Sequence, residues 1–248
     1  MKIIATIEAR LNSKRLPRKH LLKINNKFLI EILINRLKKI KNIDKIVLAT
    51  TTNKADDELE KIAKKNKIGF YQGSENNVLE RVTYAAKKYK ADAIFQVSGD
   101  CPLLDYKLAD HQIEMFKLNK PDIATNYWNN FPAGVCHPII RYSSLLKSLK
   151  YSKSKDDFEH VTNYIFNNPK KFKNLYFVAS KENYEPNLQF LLDRYEDYEF
   201  LKKIMSFDKK NQLTTEGLIK LCKEKKLKIK KKIDRKNKQI KKFIKLSK

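Results

Sequence analysis

The stretch that most constrains the fold of this chain is an apolar run that ends in a turn with an acidic residue. Residues 93–97 read Ala-Ile-Phe-Gln-Val and are followed by Ser98, Gly99 and Asp100. A run of about five apolar or β-branched residues that ends in Gly and an acid predicts a buried strand and a tight turn. We therefore expect Asp100 at the carboxyl end of a strand, the edge where open α/β sheets bind ligands. The alternative is that Asp100 only begins a turn, which is common chemistry for Gly-Asp near Pro.

A second predicted strand, at residues 2–7, runs directly into a loop rich in positive charge. Arg binds phosphate oxygens with two donors and Lys supplies a compact charge, so this loop is suited to a polyphosphate. In a chain so rich in Lys, the alternative is a solvated basic loop. The cations of this loop are Arg10, Lys14, Arg15, Arg18 and Lys19.

Strand and helix patterns alternate through the first half of the chain, which predicts a mostly parallel α/β sheet with helices on both faces. Residues 126–141 break this rhythm with aromatic residues, Pro and Gly. They predict an inserted arm after the fifth strand, either as the wall of a pocket or as a hairpin that packs on the sheet or on another subunit. The predicted strands lie at residues 2–7, 45–50, 69–71, 93–97 and 122–125, and the helices at 28–37, 56–65, 78–86 and 106–117.

A second carboxylate follows a later apolar run. Residues 188–192 predict a strand that ends in Asp193, with a helix behind it at 198–205. Two carboxylates from separate strands are suited to hold one Mg²⁺ that bridges phosphate oxygens. For Asp193 the competing interpretation is a helix cap.

Two further residues have both a functional and a structural interpretation. Arg81 comes early in a predicted helix, where a cation opposes the helix dipole, so a ligand or acidic partner would explain it as well as an ordinary surface position. His160 precedes a helical pattern at 161–166 and is either an acid/base group or a structural histidine. The structural role is favoured, because no Ser or Cys partner for nucleophilic catalysis is evident.

Composition bounds the remaining possibilities. The 248 residues carry a net charge of +26, and residues 220–248 hold 15 Lys and Arg against two acids, a net of +13. We divide the chain into a domain at 1–222 and a Lys-rich tail at 223–248. The tail predicts a solvated extension or a weakly docked helix, with contact to anionic membrane or RNA as the alternative. A nucleic-acid partner is not expected for the domain.

Other sequence features point to a cytoplasmic protein. No apolar window is long enough for a membrane span, and no secretory signal pattern is present. Cys101, Cys136 and Cys222 lack the spacing of a disulfide framework or a zinc site.

The loop motif resembles a known family. Residues 9–19 resemble the A-R-x-x-S-x-R-L-P-G-K loop of the cytidylyltransferases that make CMP-activated sugars, of the acylneuraminate and 3-deoxy-manno-octulosonate types. The nearer likeness is to the spore coat polysaccharide biosynthesis cytidylyltransferase-like branch. The resemblance continues through residues 49–51, 73–81, 99–103, 159–162 and 193–197 in the same order.

This resemblance implies a Rossmann-like, nucleotide-diphospho-sugar transferase-like fold, and a nucleotidyltransferase that moves CMP from CTP to a sugar acid or related acceptor, releasing pyrophosphate, for surface-glycan synthesis. It implies Mg²⁺ on Asp100 and Asp193, and a homodimer formed through residues 126–141. The implied catalytic residues are Arg10, Lys19 and Asp100. The implied nucleotide-binding residues are Ala9, Arg10, Ser13, Arg15, Lys19, Thr50, Gly73, Ser74, Arg81 and Asp100, and the implied acceptor-binding residues are Gly134, His137 and His160.

Three positions depart from the family pattern. Arg18 replaces the loop glycine, residues 133–138 lack the acids of the relatives' Pro-x-Gly-x-Asp-x-Glu pattern, with Cys136 and Pro138 in that segment, and residues 192–195 read Leu-Asp-Arg-Tyr in place of Val-Asp-Thr-Pro. The altered segment and the basic tail motivate a second hypothesis. In it, the chain is a non-catalytic binding protein with a degenerate nucleotide fold, whose tail engages RNA or anionic membrane.

Overall fold

A seven-stranded sheet organises the part of the chain that the structure, a computed structural model, describes, namely residues 1–126 and 130–227. The strands are β1 (Ile3–Glu8), β2 (Lys23–Ile24), β3 (Lys27–Phe28), β4 (Lys45–Thr51), β5 (Gly69–Gly73), β6 (Ala93–Ser98), β7 (Ile123–Asn126), β8 (Ile139–Arg141) and β9 (Asn174–Phe177). Strands β2 and β3 form a separate hairpin that follows the loop after β1.

The strand order across the sheet is β5-β4-β1-β6-β8-β7-β9. Strands β5, β4, β1 and β6 run parallel to each other, whereas β8 pairs antiparallel with both β6 and β7. At the far edge β9 runs parallel to β7. The predicted mostly parallel α/β sheet is confirmed, and β1 and β6 lie side by side, which brings their carboxyl ends together.

Helices cover both faces of this sheet, as predicted. They are α1 (Leu29–Leu37), α2 (Asp57–Lys65), α3 (Val78–Lys88), α4 (Tyr106–Asn119), α5 (Tyr142–Tyr151), α6 (Lys155–Glu159), α7 (Asn163–Asn167), α8 (Tyr195–Phe207) and α9 (Thr215–Glu224). Alternate residues of β1 point to opposite faces: Ile3, Ala5 and Ile7 belong to one buried apolar cluster, and Ile4 belongs to another. The helices α1, α2 and α4 pack in the first cluster and α3 and α5 in the second.

Two predictions about the second half of the chain are wrong in detail. Residues 188–192 do not form a strand, because their described backbone bonds go to loop residues and Gln189 forms an isolated bridge with Ala133. Residues 126–141 are not wholly an inserted arm, because Ile139–Arg141 forms β8 inside the sheet. The last residues of this segment are therefore a strand of the sheet itself, which neither a pocket wall nor a hairpin packed on the sheet describes.

The role of the basic tail, dimerisation through residues 126–141 and the cytoplasmic location all stay predictions. Residues 228–248 of the basic tail lie outside the described residues, as do residues 127–129 of the segment expected to mediate dimerisation. The cytoplasmic location likewise stays an expectation. Among the described residues, no helix combines the length and the apolar character that a bilayer crossing requires.

Candidate active site

The loop after β1 is fixed to the neighbouring strand by a buried acid that the sequence did not single out. Asp56 accepts a hydrogen bond from the Leu11 N–H at 2.7 Å and another from the Thr51 hydroxyl at the end of β4. The loop then closes on itself, since the Arg18 N–H donates to the Leu11 carbonyl at 2.9 Å. These bonds hold the cationic loop at the carboxyl end of the sheet. The sequence signal for Asp56 was an acid directly after a strand-end turn.

Lys19 brings the two predicted carboxylates together. Its Nζ atom lies 2.9 Å from Asp100 Oδ2 and 3.7 Å from Asp193 Oδ1. The same atom donates to the Leu192 carbonyl at 2.9 Å. Only 11% of the Lys19 side chain is exposed, while 21% and 25% of the two carboxylate side chains remain open to solvent. The two acids therefore flank one position, which an ammonium group fills in this structure.

A second cation extends this cluster. Arg15 Nη1 lies 2.8 Å from Asp193 Oδ2, and 64% of its side chain is exposed. Positive and negative groups thus alternate through Arg15, Asp193, Lys19 and Asp100, which we call the charge cluster. Its partly exposed carboxylates and cations lie where strands β1 and β6 end, as the sequence predicted.

The electrostatics of the turn after β6 favour an ionised Asp100. Burial alone would raise the pKa of this carboxyl, but the Lys19 ammonium and the Ser98 hydroxyl outweigh that effect and hold the pKa below its usual range. The neighbouring His20 ring is neutral, because burial and the charge of Lys19 lower its pKa to about 4. His20 Nδ1 lies 3.1 Å from the Gly99 carbonyl. A Cβ atom on Gly99 would lie 3.0 Å from Ala9 Cβ, so the close approach requires glycine.

The structure argues against the helix-cap interpretation of Asp193, while its role as a metal ligand stays a prediction. The carboxylate that caps α8 belongs to Asp197, which accepts hydrogen bonds from the Asp193 N–H at 2.9 Å and the Arg194 N–H at 2.8 Å. Gln189 Nε2 donates to the same Asp197 carboxylate at 3.0 Å. Asp193 therefore directs its own side chain to Lys19 and Arg15. Asp197 positions this segment, and the Leu192 N–H, which donates to the Asp100 carbonyl at 2.8 Å, ties it to the other acid.

The start of α3 and the segment before it hold three of the predicted nucleotide-binding residues, Gly73, Ser74 and Arg81, in contact with each other. Arg81 is buried and its Nη1 donates to the Ser74 carbonyl at 2.6 Å. Gly73 packs closely on the same side chain, since a Cβ atom there would lie 3.1 Å from Arg81 Cγ. Asn77 caps the helix by accepting from the Glu80 N–H at 2.9 Å. Arg81 is thus a buried cation whose charge is favoured by the nearby acids Glu8, Asp56 and Glu75, as the acidic-partner interpretation expected.

A sequence profile described as Cytidylyltransferase matches residues 4–240. The chain belongs to the cytidylyltransferase family. It is 35% identical over 209 residues to an uncharacterized protein of Methanocaldococcus jannaschii, covering 84% of this chain and 85% of that one. It is 30% identical over 207 residues to the spore coat polysaccharide biosynthesis protein SpsF of Bacillus subtilis, covering 82% and 85%.

Solved structures agree with this assignment. A cytidylyltransferase from Leptospira borgpetersenii superimposes with a TM-score of 0.86 at 31% identity, over 91% of this chain and 95% of that chain. A CMP:2-keto-3-deoxy-manno-octonic acid synthetase, solved with CTP, superimposes with a TM-score of 0.64 at 15% identity, over 84% and 100%. The second likeness shows the shared fold. The Rossmann-like nucleotidyltransferase fold and the enzyme class expected from the motifs are therefore confirmed.

Other predicted nucleotide-binding residues of this cytidylyltransferase have distinct settings. Arg10 is exposed at the start of the cationic loop, and Ser13 stabilises that loop by accepting from the Leu16 N–H at 3.4 Å. Ala9 is buried against the Gly99 turn. Thr50 is fully buried in β4, so the structure does not present its side chain at an open surface. Their contacts with a nucleotide stay predictions.

Two of the three predicted acceptor residues are in contact, since the His137 ring hydrogen-bonds the backbone of Gly134. His137 is buried edge-on against Phe95, with 5.9 Å between ring centroids, and burial lowers its pKa to about 4. Gly134 has a φ of +93°, a conformation that favours glycine, and a Cβ atom there would lie 3.1 Å from the Phe190 carbonyl oxygen. His160 is exposed at the end of α6, which packs against α3 and α7. A common acceptor role for these residues stays a prediction.

Arg18, which stands where the family has glycine, keeps a glycine-like backbone. Its φ of 55° and ψ of 25° lie in the left-handed region. Its guanidinium pairs with Glu58 at 2.5 Å on the exposed side of the loop. The substitution therefore leaves the course of the loop intact and directs the additional cation to α2.

The oxygen ligands at the charge cluster are suited to Mg²⁺. No group of three or more His, Cys, Asp or Glu side chains converges on one point within residues 1–126 and 130–227. Two carboxylates are enough for Mg²⁺, which commonly takes one or two from the protein and completes its shell with waters and substrate phosphates. The donor set thus fits the metal that the motifs implied.

Proposed function

We propose that this cytidylyltransferase transfers CMP from CTP to a sugar acid or related acceptor in surface-polysaccharide synthesis. The observation that carries the proposal is the charge cluster, in which Asp100 and Asp193 both contact Lys19 Nζ at the carboxyl edge of the sheet. The cations of the cluster are suited to bind the oxygens of a triphosphate, and its carboxylates are suited to bind the divalent ion that accompanies the triphosphate. The relatives support the proposed acceptor and pathway, because they include the spore coat polysaccharide biosynthesis protein SpsF and a 3-deoxy-manno-octulosonate cytidylyltransferase.

In the proposed complex, the cationic side chains bind the triphosphate and the acidic side chains bind the metal ion. Lys19 exchanges its carboxylate partners for phosphate oxygens, and Arg15 and Arg10 supply further donors along the triphosphate. Asp100 and Asp193 hold Mg²⁺, which when bound neutralises negative charge on the phosphate oxygens. Asp197 keeps Asp193 in place through its backbone. The Lys19 ammonium group lies between the two acids, at the position where the complex would hold Mg²⁺.

The proposed reaction needs positioning and charge stabilisation rather than a protein nucleophile. A hydroxyl oxygen of the acceptor attacks the α-phosphorus in line, the bond between the α-phosphorus and the bridging oxygen breaks, and pyrophosphate leaves with the electron pair. The acceptor proton passes to solvent or to a base in the site. Lys19 and Arg10 stabilise the charge that builds on the phosphate oxygens, a contribution of about a hundredfold in rate for one donor by analogy with oxyanion holes.

The direct test is pyrophosphate release by the purified full chain with Mg²⁺, each of the four nucleoside triphosphates, and acylneuraminate or 3-deoxy-manno-octulosonate as acceptor. We expect release with CTP and an acceptor, and a loss of about a hundredfold or more in Asp100→Ala and Asp193→Ala. Glu60→Gln, which alters a solvent-accessible acid of α2, is the matched control and keeps full activity. Undiminished turnover in both aspartate variants would contradict the metal assignment, and a preference for another nucleotide would contradict the proposed substrate.

A further inference from the structure

The Lys19 ammonium group fills the space between the two acids of the charge cluster. Its Nζ atom donates to Asp100 Oδ2 and to the Leu192 carbonyl, both at 2.9 Å, and lies 3.7 Å from Asp193 Oδ1. An ammonium group has three donors and no acceptor, so one nearby oxygen is available for each of its hydrogens. Because only 11% of the Lys19 side chain is exposed, this cation is enclosed by its oxygen partners and is not a solvated surface charge.

The segments that carry these oxygens are held by bonds that do not involve Lys19. The Asp197 carboxylate accepts from the Asp193 N–H at 2.9 Å, which fixes the backbone of that acid. The Leu192 N–H donates to the Asp100 carbonyl at 2.8 Å, which joins the two acidic segments directly. The two acids therefore keep facing one position when the ammonium group leaves it. A cation site is thus built into the backbone, and Lys19 is its occupant in the free protein.

The charges of the cluster balance before any ligand arrives. Lys19 and Arg15 face Asp100 and Asp193, so a divalent ion that enters alone meets an ammonium group at its own position, in a partly buried setting that screens repulsion poorly. Lys19 leaves readily only toward another anion, since its ion pairs in the described part of the chain are with these two acids. A triphosphate supplies that anion, because phosphate oxygens are strong acceptors for charged N–H donors.

We propose that Lys19 closes the metal site of the free protein, and that the site opens only when a triphosphate draws the ammonium group away. A metal ion without nucleotide finds Lys19 in place, and a nucleotide without metal brings phosphate oxygens toward two uncovered carboxylates. Metal and nucleotide therefore raise each other's affinity, and by linkage they do so reciprocally. This inference rests on the proposed function, which makes Asp100 and Asp193 the metal ligands. It goes further by giving Lys19 a role before the substrate arrives.

The test measures Mn²⁺ binding to the full chain without any nucleotide, from the loss of the free-ion signal in electron paramagnetic resonance at constant ionic strength. We expect Lys19→Met, which keeps an apolar stem but removes the ammonium group, to bind Mn²⁺ about 10- to 100-fold more tightly than the wild type, the range of one hydrogen bond to a charged group. Lys19→Gln should also bind Mn²⁺ more tightly. Adding Asp100→Asn to Lys19→Met should remove the gain, because the ion needs that carboxylate.

Arg15→Met is the matched control for charge. It removes an equal positive charge from beside Asp193, but 64% of the Arg15 side chain is exposed, and its ion pair in the described chain is with Asp193. Its gain in Mn²⁺ affinity should stay below about fivefold, the range of an exposed ion pair. Equal gains in Arg15→Met and Lys19→Met would show that Lys19 acts by charge alone and would overturn the proposed closure. Melting temperatures without metal show whether each variant is folded.

The outcomes separate this inference from the function on which it rests. Equal Mn²⁺ affinities in the wild type and Lys19→Met overturn the closure, while CTP turnover of the wild type, measured as pyrophosphate release, stays intact. A folded Lys19→Met protein that binds no Mn²⁺ overturns both the closure and the metal assignment. Tight Mn²⁺ binding in Lys19→Met, together with a wild-type chain that releases no pyrophosphate from CTP, contradicts the proposed reaction and supports the closure of the cation site.

Discussion

Arg36 and Lys19 both lie beside acids, and the surroundings of the two cations differ. Arg36 of α1 is fully buried, and its Nε donates to Asn211 Oδ1 at 2.8 Å. Its Nη1 donates to the Leu104 carbonyl at 2.9 Å, both terminal nitrogens reach the Leu213 carbonyl at 3.0 Å, and Asp208 lies 3.7 Å away. Lys19 also has acidic neighbours, but those acids are partly open to solvent.

The difference separates a structural ion network from one that is suited to exchange partners. Arg36 directs its donors to carbonyl and amide oxygens of fixed segments, so a ligand has nothing to replace. One of those oxygens, on Leu104, follows the Asp100 turn and supports it from inside the protein. The charge cluster instead pairs partly exposed charges with each other, and a charged ligand can replace each pairing with little net change in free energy.

Replacing the buried cation tests the structural half of this comparison. Arg36→Ala removes the cation beside Asp208 and the donor to the Leu104 and Leu213 carbonyls, and we expect a loss of about 3–5 kcal/mol in the free energy of unfolding. Denaturant unfolding of the full chain measures it. The matched control is Lys39→Ala, an exposed position just after the same helix, whose Nζ donates to the Asn211 carbonyl at 3.0 Å. That variant should lose less than about 1 kcal/mol, and equal losses would contradict the distinction.

Replacing an acid of the charge cluster tests the functional half. Asp100→Asn keeps the size of the side chain but removes its charge, so we expect kcat to fall about a hundredfold, equivalent to about 3 kcal/mol of transition-state stabilisation. The melting temperature without ligand should change less than in Arg36→Ala. Steady-state kinetics and calorimetry give the two readings. A variant that melts early yet keeps its kcat would show that Asp100 belongs with Arg36 as a structural residue.

Acid should destabilise the protein through two buried imidazoles near the site. The pKa values of His20 and His137 are each lowered to about 4 from the usual 6.5, so the unfolded chain binds protons in this window that the folded chain does not. Stability is therefore full above pH 6.5 and is lost as the pH falls toward 4, by up to about 3 kcal/mol for each ring.

Unfolding free energies at pH 7 and pH 5 measure this loss. His137→Leu removes one of the two rings and should show a shallower decline, whereas His111→Asn, an exposed position of α4, should follow the wild type. Glu8 contributes in the opposite direction, because its raised pKa removes stability as the pH rises from 4.5 through 7. An acid limb that does not change in His137→Leu would contradict the burial of its ring.

The smallest effect is expected at Arg18. Arg18→Gly relieves a left-handed backbone but increases the freedom of the unfolded chain and removes an exposed ion pair with Glu58, so stability should change by no more than about 1 kcal/mol. Catalysis should be nearly unchanged, since this guanidinium is directed to α2. Arg15→Ala, at the charge cluster, is the contrasting variant and should raise KM for CTP. A large loss of kcat/KM in Arg18→Gly would place Arg18 among the phosphate ligands.

The sequence predicted those parts of the molecule that depend on local pattern. Alternating strands and helices are visible as apolar periods, and Asp100 could be placed at a strand end because its strand is long and buried. Strand β8 has three residues, too few to show a period, and its antiparallel position depends on pairing with β6 and β7. Residues 188–192 have the apolar character of a strand, but their backbone bonds within the described part of the chain go to loop residues such as Ala133 and Asp100.

The candidate site also contains residues that the sequence predicted and residues that it did not. Asp100, Asp193 and Lys19 were found through a motif and strand ends, and the structure brings them together. Asp56 and Asp197 were missed, because their roles consist of bonds to backbone N–H groups whose positions only the folded chain defines.

The central claim is that Asp100 and Asp193 share one divalent cation on the triphosphate. The most direct measurement is an anomalous difference map from a crystal grown with CTP and Mn²⁺, which replaces Mg²⁺ as the ion to be located. We predict one strong peak with an oxygen of each carboxylate about 2.1 Å away and Lys19 moved onto the phosphates. A peak bound by neither acid, or Lys19 still between them while CTP occupies the site, would contradict the account.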